Sequence, residues 1–154
     1  EKTFEGNAAI KARYCAEKSK LISLSDDSGL EISTLNGDPG IYSARWAGKK
    51  KDFKLAIKKV YSKLKKKKKL NKNNNARFYC SLAIAFPNGE YKTFSGTVNG
   101  KISSIPKGDN GFGYDPIFIP NGYKKTFGEM KANLKDKISH RYKAFNQIRR
   151  YFKY

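Results

Sequence analysis

The 154-residue sequence has one histidine, two cysteines and no apolar run of about 18 residues. Without such a run no transmembrane helix is predicted, and the first five residues do not resemble a signal peptide. A single histidine cannot build a multi-histidine metal site. Any bound metal is therefore expected to be a hard cation on oxygen ligands, such as Mg²⁺.

The two cysteines, Cys15 and Cys80, show neither metal-ligand spacing nor the disulfide pattern of a small secreted domain. Both stand among apolar residues. We therefore expect two buried free thiols, which suits the reducing conditions of the cytoplasm.

Acidic residues are scarce, with 13 against 33 basic residues and a formal net charge of +20. Residues 49–72 hold 13 lysines and one acid, Asp52. Such a segment can bind polyanions, either nucleic acid or a membrane surface, or it can be a solvated face of lysine-rich composition. Arginines are few and no aromatic platform is interleaved with the lysines, so the solvated face is favoured. Nucleic-acid binding is not excluded, and the positive field can still attract a small anionic substrate.

The apolar content of 38% and aromatic content of 14% predict a folded chain with a core rather than a disordered one. The spacing of apolar residues and the turn signals predict helices and strands together. The predicted elements are a helix from Thr3 to about Lys18, a strand at 21–24, an amphipathic helix at 52–65, a strand pair at 77–86 and 91–98, and a final helix from Ser139.

Two adjacent carboxylates occur in Ser25–Leu30, directly after the predicted strand at 21–24. Like charges side by side are costly unless a cation or hydrogen bonds meet them, and ligands often bind where strands end. The same residue types also form ordinary solvated turns. From this stretch alone, both interpretations stay open.

A glycine-rich stretch covers 108–116 and precedes a short apolar run. Its glycines allow close approach to a ligand, Phe112 or Tyr114 could stack on a base, and Asp115 could accept a hydrogen bond from a ring N–H or an amine. The alternative is a glycine-rich turn that one aromatic residue anchors.

The last predicted helix has Ser139 as its N-cap, which places His140 and Arg141 in the first turn. Basic side chains are unfavourable at the positive end of the helix dipole. A bound anion at this position would relieve that conflict.

Taken together and in order, these motifs closely resemble the inosine/xanthosine triphosphate pyrophosphatase family over nearly the whole chain. The motifs that carry the resemblance are Thr3-Phe4, Asn7-Ala8, Ile10-Lys11-Ala12, Ser25–Leu30, Gly37–Arg45, Phe112–Pro116 and Ser139-His140-Arg141. The resemblance implies an α/β fold, elongated and two-lobed, around a long mixed sheet with flanking helices and a central substrate cleft. It also implies a homodimer.

The activity implied by the resemblance is Mg²⁺-dependent hydrolysis of ITP, dITP or XTP to the monophosphate and pyrophosphate, which clears non-canonical purines from the nucleotide pool. Asp27 matches the proton acceptor and metal-linked carboxylate, and Asp26 is expected only to shape the site. The substrate-binding residues implied are Ser28, the lysines Lys11 and Lys135, the base-recognition loop Phe112, Gly113, Tyr114 and Asp115, and the 6-oxo-purine contacts His140 and Arg141.

One departure from the family pattern concerns the start of the chain. Similar proteins begin with a strand and a Thr/Ser-Gly-Asn-x-x-Lys phosphate loop, and nothing comparable precedes Thr3. We therefore expect a single domain over 1–154 that lacks this strand and loop. Two alternatives remain: a catalytically impaired nucleotide- or nucleic-acid-binding protein of the same fold, and a structural subunit whose missing loop comes from another chain.

Overall fold

The first helix, α1 (Phe4–Ser19), begins where the sequence predicts in the computed structural model, which describes residues 1–153. The hydroxyl of Thr3 caps it by accepting a hydrogen bond from the backbone N–H of Gly6 at 3.0 Å. The other α-helices are α2 (Ser43–Trp46), α3 (Phe53–Lys66), α4 (Ala132–Ile138) and α5 (His140–Tyr151). No helix within residues 1–153 combines the length and apolar character needed to cross a bilayer.

Four strands within the described residues form one sheet in the order β1 (Ser23–Ile32), β2 (Asn75–Ala85), β3 (Tyr91–Ile102) and β4 (Phe118–Pro120). β3 and β4 pair antiparallel, with Ile102 opposite Phe118. The α/β class is confirmed. The expected mixed sheet is wrong, because the sheet is antiparallel and its strands are neighbours in chain order.

β1 differs from the prediction in its bounds. It runs through the two aspartates to Ile32, whereas the sequence predicted a strand at 21–24 that a Ser-Gly break ends. Leu21 and Ile22 lie outside the strand and are exposed. The Ser-Gly pair does not end the strand, because β1 is hydrogen-bonded to β2 in the sheet.

The chain divides into two compact units. The first contains residues 1–28, 79–97 and the segment from 139 onward. In this unit alanines of α1 pack against Ala83 and Ala85 of β2, while Cys80, Leu82 and Ile84 pack with Phe94 and with Ala144 and Ile148 of α5. This part of β2 is therefore buried on both faces, and the small alanine side chains let α1 approach closely.

The second unit contains residues 29–78 and 98–138. Its core gathers apolar residues from β1, α3, the start of β2, β4 and the turn at 127–129, including Leu30, Ile57, Val60, Phe78, Phe118 and Phe127. α3 begins at its N-cap Asp52, whose carboxylate accepts from the N–H groups of Lys54 and Leu55. It buries one apolar stripe in this core and leaves its lysines outside.

Candidate functional site

The predicted site residues lie in both units. The first unit holds Lys11, Asp27, Ser28, His140 and Arg141, and the second holds Phe112, Gly113, Tyr114, Asp115 and Lys135. We call the first group, together with Asn7 and Asp26, the carboxylate cluster. We call residues 111–115 with Lys135 the glycine-rich loop.

In the carboxylate cluster, Asp27 faces helix α1. Its carboxylate accepts a hydrogen bond from Asn7 Nδ2 at 3.1 Å and pairs with Lys11 Nζ at 3.1 Å. Asn7 and Lys11 are four residues apart, so they lie on the same face of α1. Helix α1 therefore supplies the polar environment of Asp27.

Asp26 faces the other way, because successive side chains of a strand point to opposite faces. Its Oδ2 pairs with Arg141 Nη2 at 2.7 Å and accepts a hydrogen bond from Ser28 Oγ at 3.1 Å. Burial raises the pKa of Asp26, but the hydrogen bond and charge of Arg141, aided by Ser28, outweigh it and leave the pKa below its usual 3.8. The strand thus separates the two carboxylates: Asp27 contacts α1 residues, and Asp26 contacts an α5 residue.

The start of α5 is held tightly within the first unit. Ser139 caps it as predicted, accepting from the N–H of Tyr142 at 3.1 Å. Lys143 and Gln147 donate to backbone carbonyls of β3 at 2.9 and 2.7 Å. A Cβ on Gly96 of β3 would lie 2.1 Å from the carbonyl oxygen of His140, so glycine is needed for this close approach. His140 is buried, whereas Arg141 reaches out to Asp26.

The buried thiol of Cys80 adjoins the carboxylate cluster. Burial raises its pKa, although a hydrogen bond with Ser28 and the charge of Arg141 act in the opposite direction. Cys15, by contrast, is exposed on α1, so the prediction that both cysteines are buried is wrong for Cys15. The two thiols therefore have different environments.

We expect a thiol reagent such as Ellman's reagent to modify one cysteine rapidly in the native protein and the second only when the chain unfolds. The rapid equivalent should disappear in Cys15→Ser and remain in Cys80→Ala. Rapid modification of two equivalents in the native protein would show that Cys80 is accessible.

The glycine-rich loop is built around the buried carboxylate of Asp115. Its Oδ2 accepts from the backbone N–H of Phe112 at 2.9 Å and pairs with the ammonium group of Lys135. The same ammonium lies 4.8 Å from the centroid of the Phe112 ring. Gly111 has φ +73, and a Cβ there would lie 2.0 Å from Asp115 Oδ2. Asp115 and Lys135 thus hold the conformation that presents Phe112.

The two aromatic residues of this loop differ in accessibility. Phe112 is 62% exposed and Tyr114 only 3%. The Tyr114 hydroxyl donates to the carbonyl of Ser43 at 2.8 Å, and its ring meets Phe53 edge to face at 5.5 Å. Burial raises the pKa of Tyr114. Of the two residues that the sequence offers for base stacking, Phe112 is the accessible one and Tyr114 is buried.

Sequence reasoning missed two members of the arrangement. The four-residue spacing of Asn7 and Lys11 indicates one helix face, and this signal could have found Asn7. Gly96 lies inside β3 beneath α5. Nothing in the local sequence indicates the contact between Gly96 and α5.

A protein-only metal cage is not present among residues 1–153, where no three His, Cys, Asp or Glu side chains come together as a metal site. Mg²⁺ does not require such a cage, because it usually binds one or two carboxylates, substrate phosphates and water. Asp27 fits that smaller requirement, with a carboxylate that sits beside a lysine and an amide.

Comparison with known proteins gives a consistent result. The sequence profile of the Ham1 family matches residues 1–151. A dITP/XTP pyrophosphatase of Caulobacter vibrioides is 48% identical over 149 residues, which cover 97% of this chain and 76% of that protein. One of Rhodospirillum centenum is 48% identical over 148 residues, covering 96% of this chain and 72% of the relative.

The fold is also similar to solved structures. The Staphylococcus aureus Ham1 protein superposes with a TM-score of 0.89 at 40% sequence identity. The match covers 98% of this chain and 77% of the other.

Proposed function

The chain belongs to the Ham1 family, and we propose that it is a nucleoside triphosphate pyrophosphatase that hydrolyses ITP, dITP and XTP to the monophosphate and pyrophosphate. The observation that carries the proposal is the match to dITP/XTP pyrophosphatases over nearly the whole chain. The carboxylate cluster supplies residues suited to phosphate groups, and the glycine-rich loop supplies residues suited to a base.

Asp27 is the proposed catalytic carboxylate. It deprotonates or orients the water that attacks phosphorus, and Lys11, 3.1 Å away, binds a phosphate oxygen. Mg²⁺ held by Asp27 and by phosphate oxygens would offset the triphosphate charge and polarise the attacked phosphorus. Ser28 is proposed as a further substrate contact.

Base recognition is proposed for the glycine-rich loop and the start of α5. Phe112 stacks on the base, and the buried pair of Asp115 and Lys135 holds it in place. Stacking binds every base alike, so the preference for a 6-oxo purine must come from hydrogen-bond donors of the protein. His140 and Arg141 hydrogen-bond a 6-oxo group, and a 6-amino group would leave those donors unpaired.

We further propose that residues 1–154 form one catalytic domain with an elongated two-lobed architecture and a substrate cleft. The protein is proposed to be a homodimer that acts in the cytoplasm. Free rather than bridged Cys15 and Cys80 fit a reducing compartment.

Product analysis tests the proposed reaction. Incubation of the protein with ITP and Mg²⁺ should give IMP and pyrophosphate in equal amounts, measured by ion-exchange chromatography and a pyrophosphate assay. Release of IDP and inorganic phosphate would instead identify a phosphatase that cleaves the terminal anhydride bond.

The lysine-rich segment, residues 49–72, is the feature that favours a second candidate function, which is nucleic-acid binding. Of its 13 lysines only Lys63 is partly buried, where it pairs with Asp38 at 2.8 Å, and the others are exposed. The apolar stripe of α3 is buried in the core, so this segment presents charge without an apolar face. Within the proposed pyrophosphatase, however, we propose that the lysine-rich segment raises the local concentration of the anionic nucleotide substrate.

Replacing all five residues of Lys65–Lys69 by glutamine is expected to raise KM for ITP by about two- to tenfold at low salt, with kcat unchanged. Added salt should remove the difference, because exposed charges are screened. The matched control changes five lysines elsewhere to glutamine: Lys18, Lys101, Lys124, Lys125 and Lys131. Duplex DNA binding that persists near 0.15 M salt and is lost only in the Lys65–Lys69 variant would favour the second candidate.

A further inference from the structure

Asp26 has no part in the reaction proposed above, although it is the immediate neighbour of Asp27. Its Oδ2 pairs with Arg141 Nη2 at 2.7 Å, and Ser28 Oγ donates to the same oxygen at 3.1 Å. Ser28 Oγ is also 3.5 Å from Arg141 Nη2. These three side chains form one triangle of polar contacts, in which Arg141 lies more than 110 positions along the chain from Asp26 and Ser28.

Folding stability does not explain this ion pair. The side chains of Arg141 and Asp26 are 42% and 43% exposed, and ion pairs so accessible to water contribute little to stability. The same chain contains a near-equivalent pair, Lys63 and Asp38, with 41% and 42% exposure and a separation of 2.8 Å. That second pair offers an internal reference for what such a contact does when it lies outside the carboxylate cluster.

The backbone beneath each partner is fixed. Asp26 lies inside β1, and Ser28 lies two residues along the same face of that strand. Arg141 lies in the first turn of α5, which Lys143 and Gln147 tie to β3. The guanidinium group is a rigid planar fork, so a contact that holds one of its nitrogens restricts the orientation of the whole group.

We propose that Asp26 is a positioning residue that holds the Arg141 guanidinium in the orientation in which it recognises the 6-oxo purine. Asp26 thereby controls substrate selectivity without touching the substrate. This inference rests on the proposed function, because it takes Arg141 as a contact of the base. It also gives the two adjacent aspartates separate tasks, with Asp27 serving the chemistry and Asp26 the choice of base.

The test is a double-mutant cycle with Asp26→Ala, Arg141→Ala and the double variant, measured on ITP and ATP. Asp26→Ala should raise KM for ITP and lower the ITP-over-ATP ratio of kcat/KM about tenfold, with kcat within about threefold of the original enzyme. The ITP-over-ATP ratio of the double variant should be no lower than that of Arg141→Ala, because Asp26 influences the choice of base through that arginine. Asp26→Asn, which keeps an acceptor oxygen, should recover part of the selectivity.

The control is Asp38→Ala, which breaks the reference ion pair and should leave the ITP-over-ATP ratio unchanged. All variants should unfold within a few degrees of the original protein. Additive losses in the double variant, a large fall in kcat at constant selectivity, or an equal effect of Asp38→Ala would each overturn the proposal.

A measurement without turnover separates this inference from the proposed function. Side-chain NMR of ¹⁵N-labelled protein should show that Asp26→Ala increases the mobility of the Arg141 guanidinium, and calorimetry should show weaker binding of ITP but not of ATP. If the unaltered protein releases no pyrophosphate, the proposed function fails while these two results still decide the role of Asp26. An Arg141 signal and an ITP affinity that do not change in Asp26→Ala would overturn it.

Discussion

Asp27→Asn is expected to reduce pyrophosphate release from ITP by at least about 100-fold, because an amide can neither accept the proton of the attacking water nor hold Mg²⁺ as a carboxylate does. The side chains have nearly the same shape. Asn7 and Lys11 donate to different oxygens of Asp27, so the single amide oxygen can still accept from one of them. The fold should therefore survive. The loss should appear in kcat in a steady-state assay, with a thermal unfolding curve recorded in parallel.

Asp136→Asn is the matched control for this variant. Asp136 is an exposed carboxylate on α4, and its replacement should leave kcat unchanged. Turnover of Asp27→Asn near that of the original protein would contradict the catalytic role of Asp27. Unfolding of the variant at a much lower temperature would point to a structural role instead.

Gly96→Ala is expected to destabilise the protein by about 3 kcal/mol, the upper end of what overpacking usually costs. The added Cβ would lie 2.1 Å from the carbonyl oxygen of His140 and 2.6 Å from the amide nitrogen of Ala144. These are backbone atoms of α5, which cannot rotate away, so the first turn of the helix must move. Urea unfolding should show a lower midpoint with a similar slope. KM for ITP should rise because His140 and Arg141 move with that turn.

Gly89→Ala provides the comparison for an added methyl group in the same hairpin. Nothing lies within 4 Å of its Cβ, but Gly89 has φ +92, so only backbone strain of about 1 kcal/mol is expected. Equal stability losses in both variants would show that contact with α5 is not the cause. A Gly96→Ala protein with unchanged stability and KM would contradict the close packing itself.

The features that the sequence predicts well are local. Thr3 and Ser139 cap helices because a cap depends on residues within one turn, and the apolar stripe of α3 depends only on helical spacing. Family membership could also be predicted, since it rests on several motifs that occur together in order.

The features that the sequence misses depend on contacts between distant residues. The Ser-Gly pair after Asp26 and Asp27 looks like a turn, yet β1 continues because it pairs with β2, a strand far along the chain. Arg141 and Lys11, also distant in sequence, meet the charges of the two aspartates. The ion pair between Asp26 and Arg141 also gives the basic first turn of α5 an anionic partner. Tyr114 and Phe112 are both aromatic residues beside glycines, and only the packing against Phe53 and Ser43 reveals which one is buried.

The proposed substrate choice is tested most directly by the rate of pyrophosphate release from ITP and XTP beside ATP and GTP, each with Mg²⁺ at matched concentrations. We predict that kcat/KM for ITP and XTP exceeds that for ATP by at least about 100-fold, because a 6-amino group leaves the hydrogen-bond donors unpaired. A kcat/KM for ATP equal to that for ITP would contradict selection of the 6-oxo purine by His140 and Arg141. Because GTP also carries a 6-oxo group, a kcat/KM for GTP equal to that for ITP would contradict the assignment of this chain to non-canonical purine nucleotides.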